Sequence, residues 1–332
     1  MDATGGDYAP GEVIRGAVAA ARERDVDVIL VGPMEVLEAE LRRNGGPGAG
    51  IRCVPATEAI KEGESPASAV RRKPNSSVVV ATKLVKSGEA DAVVSAGPSG
   101  ATAVSAVQHL GMLEGMERPA IGGTLGSFAP GVLLMDLGAN VDSKPYHLVS
   151  FAVAGSVYAR KFLKISSPTV GLLSTGAEEG KGNELVREAY ALLKESGLNF
   201  IGNVEGSDIL KRKANVIVCD GFVGNVLLKF YESVGDRVYE WIREKLRRHP
   251  PLRALARLTF DRLFPISKMS YEGEMEGSGI LWGVNGVVRI AHGACRASHI
   301  LHGIASARNA VELDVVGSLK EELARLRTEA KV

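Results

Sequence analysis

Cysteine is scarce: Cys53, Cys219 and Cys295 are the only three in 332 residues. They are too few and too scattered for a disulfide framework or a CxxC metal site, which points to a reducing compartment and to chemistry without a thiol. An excess of charge of one sign is missing as well. Forty Lys and Arg stand against 39 Asp and Glu, for a formal net charge of +1, so no overall field gathers nucleic acid and any electrostatic partner must find a local patch. No uncharged apolar run reaches the ~18 residues of a spanning helix, and no charged start leads into an apolar run of signal-peptide type. The expectation is a cytoplasmic chain that is neither exported nor membrane-spanning. Internal repeats, low-complexity tracts and flexible linkers are also lacking. With 45% hydrophobic and 24% charged positions, the chain can bury a large core as one continuous unit over residues 1–332.

Several catalytic signatures are missing too. There is no GxSxG nucleophile elbow, no cysteine beside an obvious histidine, and no histidine with an aspartate five positions on. A covalent acyl-enzyme is therefore unsupported. His299 and His302 lie at i, i+3 on an expected helix without a carboxylate pattern to complete a zinc site. No metal and no cofactor is expected.

What the chain does have is an alternation. Strand-length apolar runs recur at Val26 to Gly32, Ala90 to Gly97, Gly131 to Asn140, Thr169 to Gly176, Ala214 to Gly221 and Gly286 to Gly293. Most are continuous rather than alternating, as suits strands covered on both faces. Helix-period segments fall between them: Glu12 to Arg24, Thr102 to Leu113, Pro145 to Phe162, Asn183 to Ser196 and Val223 to Arg247. This pattern predicts an α/β fold, a doubly wound and mostly parallel sheet in a Rossmann-like α/β/α sandwich. Ligands of such folds sit beyond the carboxyl ends of the strands, and here those ends are polar and glycine-rich. A helical arm over residues 240–270 embellishes the architecture.

DATGGDYAP (Asp2 to Pro10) puts Gly5 and Gly6 where a strand turns into a helix, so backbone N–H groups can approach an anion; a plain tight turn is the alternative. SAGPSGAT (Ser95 to Thr102) repeats the logic with hydroxyls on Ser95, Ser99 and Thr102. In GAEEGKGNEL (Gly176 to Leu185), Lys181 stands between glycines ahead of a helix, as phosphate-gripping loops arrange it. Gly180 follows Gly176 one residue too soon for a Walker loop, and Gly182 replaces the magnesium-binding Ser or Thr, so a bare phosphate fits better than a nucleotide. CDGFVGNV (Cys219 to Val226) supplies Asp220 to orient a partner and Asn225 to donate to an oxyanion, or else two residues capping the next helix. His292 closes the last strand, as a proton-handling group or a satisfied core histidine. GSGILWG (Gly277 to Gly283) only loosely imitates a dinucleotide fingerprint.

Taken in order, DATGGDYAP, AVRRKPNSS (Ala69 to Ser77), GEADAVVSAGPSGA (Gly88 to Ala101), LMDLGANVDSKP (Leu134 to Pro145), GKGNEL, NFIGNVEG (Asn199 to Gly206), DGFVGNV and AHG (Ala291 to Gly293) resemble the bacterial phosphate acyltransferases of phospholipid synthesis. The resemblance spans nearly the whole chain. It implies a sheet related to the isocitrate and isopropylmalate dehydrogenases and to the phosphate acetyltransferases. The implied activity joins inorganic phosphate to the acyl group of acyl-acyl-carrier protein, in a homodimer on the inner membrane face. Carried onto this sequence, Lys181 neutralises phosphate and the developing oxyanion, Asn225 donates to the thioester oxygen, and Asp220 and His292 orient groups or handle protons. Asp2, Gly5, Gly6, Asp7, Ser95, Gly97, Ser99, Gly100, Asn140 and Asn183 bind substrate.

The chain departs from the family in three places. Only Met1 precedes the DATGGD motif, so a central strand is short; Pro98 replaces an asparagine, losing a side-chain donor and an N–H; and Gly277, Ser278 and Gly279 replace a Gly-Gly-Ala run. In the arm, Leu252, Leu255, Leu258 and Leu263 share one face, with Phe260 and Phe264 at its margin and basic flanks. Arg243, Lys245, Arg247, Arg248, Arg253 and Arg257, with the two phenylalanines, are expected to meet anionic lipid or the acidic carrier protein, or the arm pairs with a second copy. Rival readings are a small-thioester phosphate acetyltransferase and a silent membrane or carrier-protein scaffold.

Overall fold

The computed structural model describes residues 1–46, 48, 50–126, 129–247 and 278–329. In chain order the elements are α1 (Gly11–Glu23), β1 (Val28–Gly32), α2 (Met34–Arg43), β2 (Ile51–Pro55), α3 (Pro66–Arg72), α4 (Ser77–Ser87), β3 (Ala92–Ser95), α5 (Ser99–Leu110) and β4 (Ala120–Thr124). There follow β5 (Leu133–Met135), α6 (Pro145–Lys161), β6 (Val170–Leu173), α7 (Glu184–Glu195), β7 (Phe200–Val204), α8 (Gly206–Leu210), β8 (Val216–Val218) and α9 (Gly221–Arg247). The last elements are β9 (Ser278–Trp282), β10 (Val287–Ala291), α10 (Ala297–Glu312) and α11 (Val315–Glu329).

Eight strands form one sheet in the order β3-β10-β9-β4-β5-β8-β6-β7, and β1 and β2 form a parallel pair. The short central strand expected ahead of the DATGGD motif is a segment of three residues. Val31 N–H donates to the Met1 carbonyl, Ala3 N–H to Val31, and Asp2 N–H to Val94. Met1–Ala3 thus run between β1 and β3 and stitch the pair to the larger sheet.

The α/β class and the mostly parallel sheet agree with the expectation, but the strands do not share one direction. β3 and β10 are parallel, as are β5, β8, β6 and β7, while β10–β9, β9–β4 and β4–β5 are antiparallel. Two parallel blocks of opposite direction are therefore joined through an antiparallel centre. Its β9–β10 step is a short hairpin, which enforces antiparallel pairing. The carboxyl ends of β3 and β10 lie on one edge of the sheet, and those of β5, β6 and β8 on the other.

Helices cover both faces. α6 is the central one: Leu148, Phe151, Ala152 and Ala154 are fully buried, in the same cluster as Leu133, Val216 and Leu172 of β5, β8 and β6. Each large apolar side chain taken from water there contributes about 1.5–3 kcal/mol. On the other face, α4 and α5 cover β3 and β10 through Leu84, Ala106 and Leu110, and α9 covers β4 and β5 through Leu227, Leu228 and Tyr231. Among the described residues no helix covers the sheet between those two. Among the described residues no helix is long and apolar enough to cross a membrane.

Candidate active site

Three loops close on one another at the carboxyl ends of β3 and β10. Asp2 is buried, and its carboxylate accepts from Thr4 N–H at 3.1 Å and from the Ser95 hydroxyl at 2.6 Å. The same hydroxyl accepts from Gly97 N–H at 3.1 Å. A Cβ on Gly5 would lie 2.4 Å from the Gly97 nitrogen, so only glycine lets the two loops meet. Asp7 N–H donates to the Gly293 carbonyl at 2.8 Å and ties in the end of β10. Asp2 and Ser95 therefore shape the loops from beneath, while Gly5, Gly6, Asp7, Gly97, Ser99, Gly100 and His292 line the cleft above them. α5 begins there with Pro98 as its N-cap and no capping side chain. The N–H groups of its first turn, on Ser99, Gly100 and Ala101, are without helical partners and aim the positive end of the helix dipole at the cleft.

The cleft has a volume of about 1060 Å³. Its floor is a strip of sheet: Ile121 and Gly122 of β4, Gly279 of β9 and Ile290 of β10. One wall is the loop from Ala59 to Pro66, and the other is α9 with Asn225, Leu228 and Lys229, plus Leu137. Lys73 braces the first wall, donating to the Ala59 carbonyl at 2.9 Å and pairing with Glu64 at 2.7 Å. Hydrogen bonds from the Lys61 N–H and the Lys73 ammonium hold Glu64 below the ordinary carboxylate range. The lining carries the acidic Asp7, Glu62 and Glu64 beside the basic Lys61 and Lys229, so its attraction for an anion rests on backbone N–H groups rather than on an excess of basic side chains.

Asn225 reaches this cleft because a buried carboxylate at the opposite edge of the sheet seats its helix. Asp136 is fully buried and accepts five hydrogen bonds: from the N–H groups of Ile121, Gly138, Ala139 and Asn140 at 2.8–3.2 Å, and from the Asn140 carboxamide at 2.8 Å. Burial raises its carboxyl above the ordinary range, against the downward pull of the donors from Ile121, Ala139 and Asn140. Five donors leave no lone pair for a proton, so the arrangement fits the anion. Against the loop thus folded, a Cβ on Gly224 would fall 1.8 Å from the Asp136 carbonyl oxygen, and one on Gly138 would fall 3.3 Å from the Asn225 side chain. α9 can dock here only through these glycines. The Asn225 carboxamide makes no hydrogen bond among the described residues and is exposed in the cleft.

The family model described as "Fatty acid synthesis protein" matches residues 1–317. The phosphate acyltransferase of Desulfitobacterium hafniense is 46% identical over 327 residues, 98% of this chain and 97% of that relative. The chain belongs to the phosphate acyltransferase family. Membership makes it an acyltransferase enzyme. A phosphotransacetylase from Streptococcus pyogenes superposes with a TM-score of 0.60 at 19% identity, covering 89% of this chain and 91% of its own. The 4-hydroxythreonine-4-phosphate dehydrogenase of Klebsiella pneumoniae gives 0.53 at 13%, over 91% and 94%. At those identities the likeness is one of fold.

Within this phosphate acyltransferase framework the remaining expected residues fall in other places. Asp220 caps α9, accepting from Val223 N–H at 2.9 Å, and Asn183 caps α7, accepting from Val186 N–H at 3.0 Å. Asn140 spends its carboxamide on Asp136 and on the Pro119 carbonyl. Lys181 follows β6, with its stem against Gly176, and is outside the cleft lining. It stands at the same edge of the sheet as Asp136, because β6 and β8 are parallel neighbours. His292 accepts from Ala294 N–H through Nδ1 at 3.1 Å, which leaves Nε2 to carry the proton of the neutral ring. Burial pushes the Cys295 thiol up to about 11 and the Cys219 thiol higher, so neither is a thiolate nucleophile at neutral pH. Arg243, Lys245 and Arg247 fall on the last turns of α9, while Arg248, Arg253, Arg257, Phe260 and Phe264 lie outside the described residues. Sequence reasoning counted Asp136 among the polar strand ends but gave it no role, and it did not find Lys61 or Lys229. For Lys229 a signal existed: it lies one helical turn after Asn225 and so shares its face.

Proposed function

We propose that the cleft makes acyl phosphate from inorganic phosphate and the thioester of an acyl-carrier protein. Phosphate binds between the Gly5–Gly6 loop, Gly97 and the first turn of α5, where N–H groups favour a small anion. One phosphate oxygen attacks the thioester carbonyl. The C–O bond forms, the carbonyl oxygen becomes an oxyanion, and its collapse breaks the C–S bond with the electron pair leaving on sulfur. A thiol of pKa about 8.5 is a sufficient leaving group without covalent help, so placement and charge stabilisation carry the rate. Asn225 donates to the oxyanion, and the Nε2–H of His292 donates a hydrogen bond to the departing thiolate, which takes up the proton that the hydrogen phosphate brought. What supports this reading most is that Gly5, Gly97, the α5 terminus, His292 and Asn225 line one volume.

Lys229, one turn beyond Asn225 on the lining, is assigned the neutralising role, with Lys181 as its rival. Hydroxylamine trapping of acyl phosphate tests all three residues. Asn225→Ala is expected to cost 10²–10³ in kcat, as removal of one oxyanion donor does, and Lys229→Ala at least tenfold. A larger loss in Lys181→Ala than in Lys229→Ala returns the role to Lys181, and unaltered turnover in Asn225→Ala removes the oxyanion assignment. Acetyl-coenzyme A, run beside a long-chain acyl-carrier thioester, separates this activity from a small-thioester acetyl transfer. We assign the carrier and lipid contacts to the arm over residues 240–270, and a homodimer contact to α9, whose exposed Phe222, Val226, Phe230, Val234 and Val238 recur every fourth residue.

A further inference from the structure

The cleft has a second region that the transfer step does not use. On its floor Ile290 of β10 pairs in register with Gly279 of β9, and the position for a Cβ on Gly279 lies 3.2 Å from Ile121 Cγ2 on β4. Ile121 pairs with Leu281, two residues along β9 from Gly279 and on the same face, so the missing side chain of Gly279 leaves a dip in the floor with Ile290 beside it and Ile121 diagonally across. It continues at its far side into Leu137, whose N–H donates to the Ile121 carbonyl at 2.9 Å, and Leu228 of α9, which packs against the cluster containing Leu137. Ile121 is half-buried and touches the clusters of both Ile290 and Leu137, so the apolar strip is continuous. It runs from beside His292 and Ala291 to beside Asn225, all of which line the same cleft.

We infer that this trough seats the hydrocarbon chain of the acyl donor, an unbranched alkyl group, with Gly279 and Ile121 as the residues that set its length preference. This rests on the acyl-transfer reading above and deepens it. A slender chain laid from the Asn225 end crosses the floor at Gly279, where the missing side chain lets it reach the sheet between two isoleucines. Each methylene that enters leaves water, and the expected gain is about fourfold in affinity.

The test measures kcat/KM for acyl thioesters of a small thiol, from four to twelve carbons, together with displacement of a fluorescent long-chain fatty acid, which needs no turnover. The wild type is expected to gain up to about fourfold per methylene until the strip is filled. Gly279→Val fills the trough and is expected to lower the ratio of long-chain to short-chain rates at least tenfold, with a matching loss of fatty-acid binding. Ile121→Ser, which removes one bank without adding bulk, is expected to flatten the same ratio, and thermal melts check that each variant folds. An unchanged length preference and unchanged fatty-acid binding in both variants overturn the inference while leaving the transfer reading intact. No acyl phosphate from any donor overturns the transfer reading, and the displacement assay then still decides whether the trough takes a chain.

Discussion

At Asp136 five donors meet two carboxylate oxygens. Asp136→Asn replaces one acceptor with an NH₂ that faces N–H groups, so a buried donor loses its partner at about 1–3 kcal/mol. Chemical denaturation is expected to show that loss. Because the same loop seats α9 against Gly138, acyl phosphate formation is expected to fall at least tenfold, chiefly in kcat. In an Asn225→Ala background the same change is expected to cost little more, since both act through one carboxamide. Full additivity would make Asp136 a structural residue only. The contrast with Asp220 and Asn183 shows what a sequence reveals at this scale. Their capping lies in the residue pattern before a helix, whereas the partners of Asp136 are mostly backbone amides, which leave no trace in residue type.

Among the elements, α6 has a titratable start. Lys144 N–H donates to His147 Nδ1 at 3.0 Å, and the imidazole is buried. Burial lowers its pKa, against Glu117, whose carboxylate lies 3.8 Å away and raises it. The folded state therefore holds a neutral ring, whereas the unfolded chain takes a proton near pH 6.5. The stability this contributes is present above that pH and is lost as pH falls. Thermal midpoints are expected to drop between pH 7.5 and 5, and more gently in His147→Gln, which keeps an acceptor but does not titrate; equal slopes would clear His147. α6, α7 and α9 were legible because their periodicity and caps agree, and they begin within two residues of expectation, whereas α11, 15 residues long, was not expected. Strands β2, β4, β7 and β9 were not. AIGGT, FIGNV and SGILW contain glycine, which pairing with neighbours tolerates but strand propensity disfavours. In β9 the glycine needed for the trough also disguised the strand.

For the whole molecule, what the sequence could not express was direction. Six apolar runs announced a layered α/β fold, yet nothing within a run says which way its neighbour points, and the polar strand ends are divided between two edges of the sheet. Of the candidates at the second edge, Asn225 alone reaches the cleft, carried there by α9. Along α9 the exposed Phe222, Val226, Phe230, Val234 and Val238 form the ridge of every fourth residue by which helices commonly pack, with Phe230 68% exposed. The ridge runs on to Trp241, about 30 Å of helix at 1.5 Å per residue. Phe230→Glu combined with Val234→Glu is expected to shift a dimer to a monomer in sedimentation velocity, and an unshifted boundary would locate the subunit contact elsewhere.

The position of β10 also bears on how the molecule comes into being. Its seat is between β3 and β9, yet it is synthesised long after β3 has left the ribosome. Until then the nascent chain holds a sheet with an open seam, and most of the floor that would carry an acyl chain does not exist. Such non-local pairing slows folding and prolongs exposure of an unpaired strand. Catalytic competence is therefore among the last properties this polypeptide acquires during translation, and early release would yield a fragment with the glycine loop and the start of α5 but without the β9 and β10 part of the cleft.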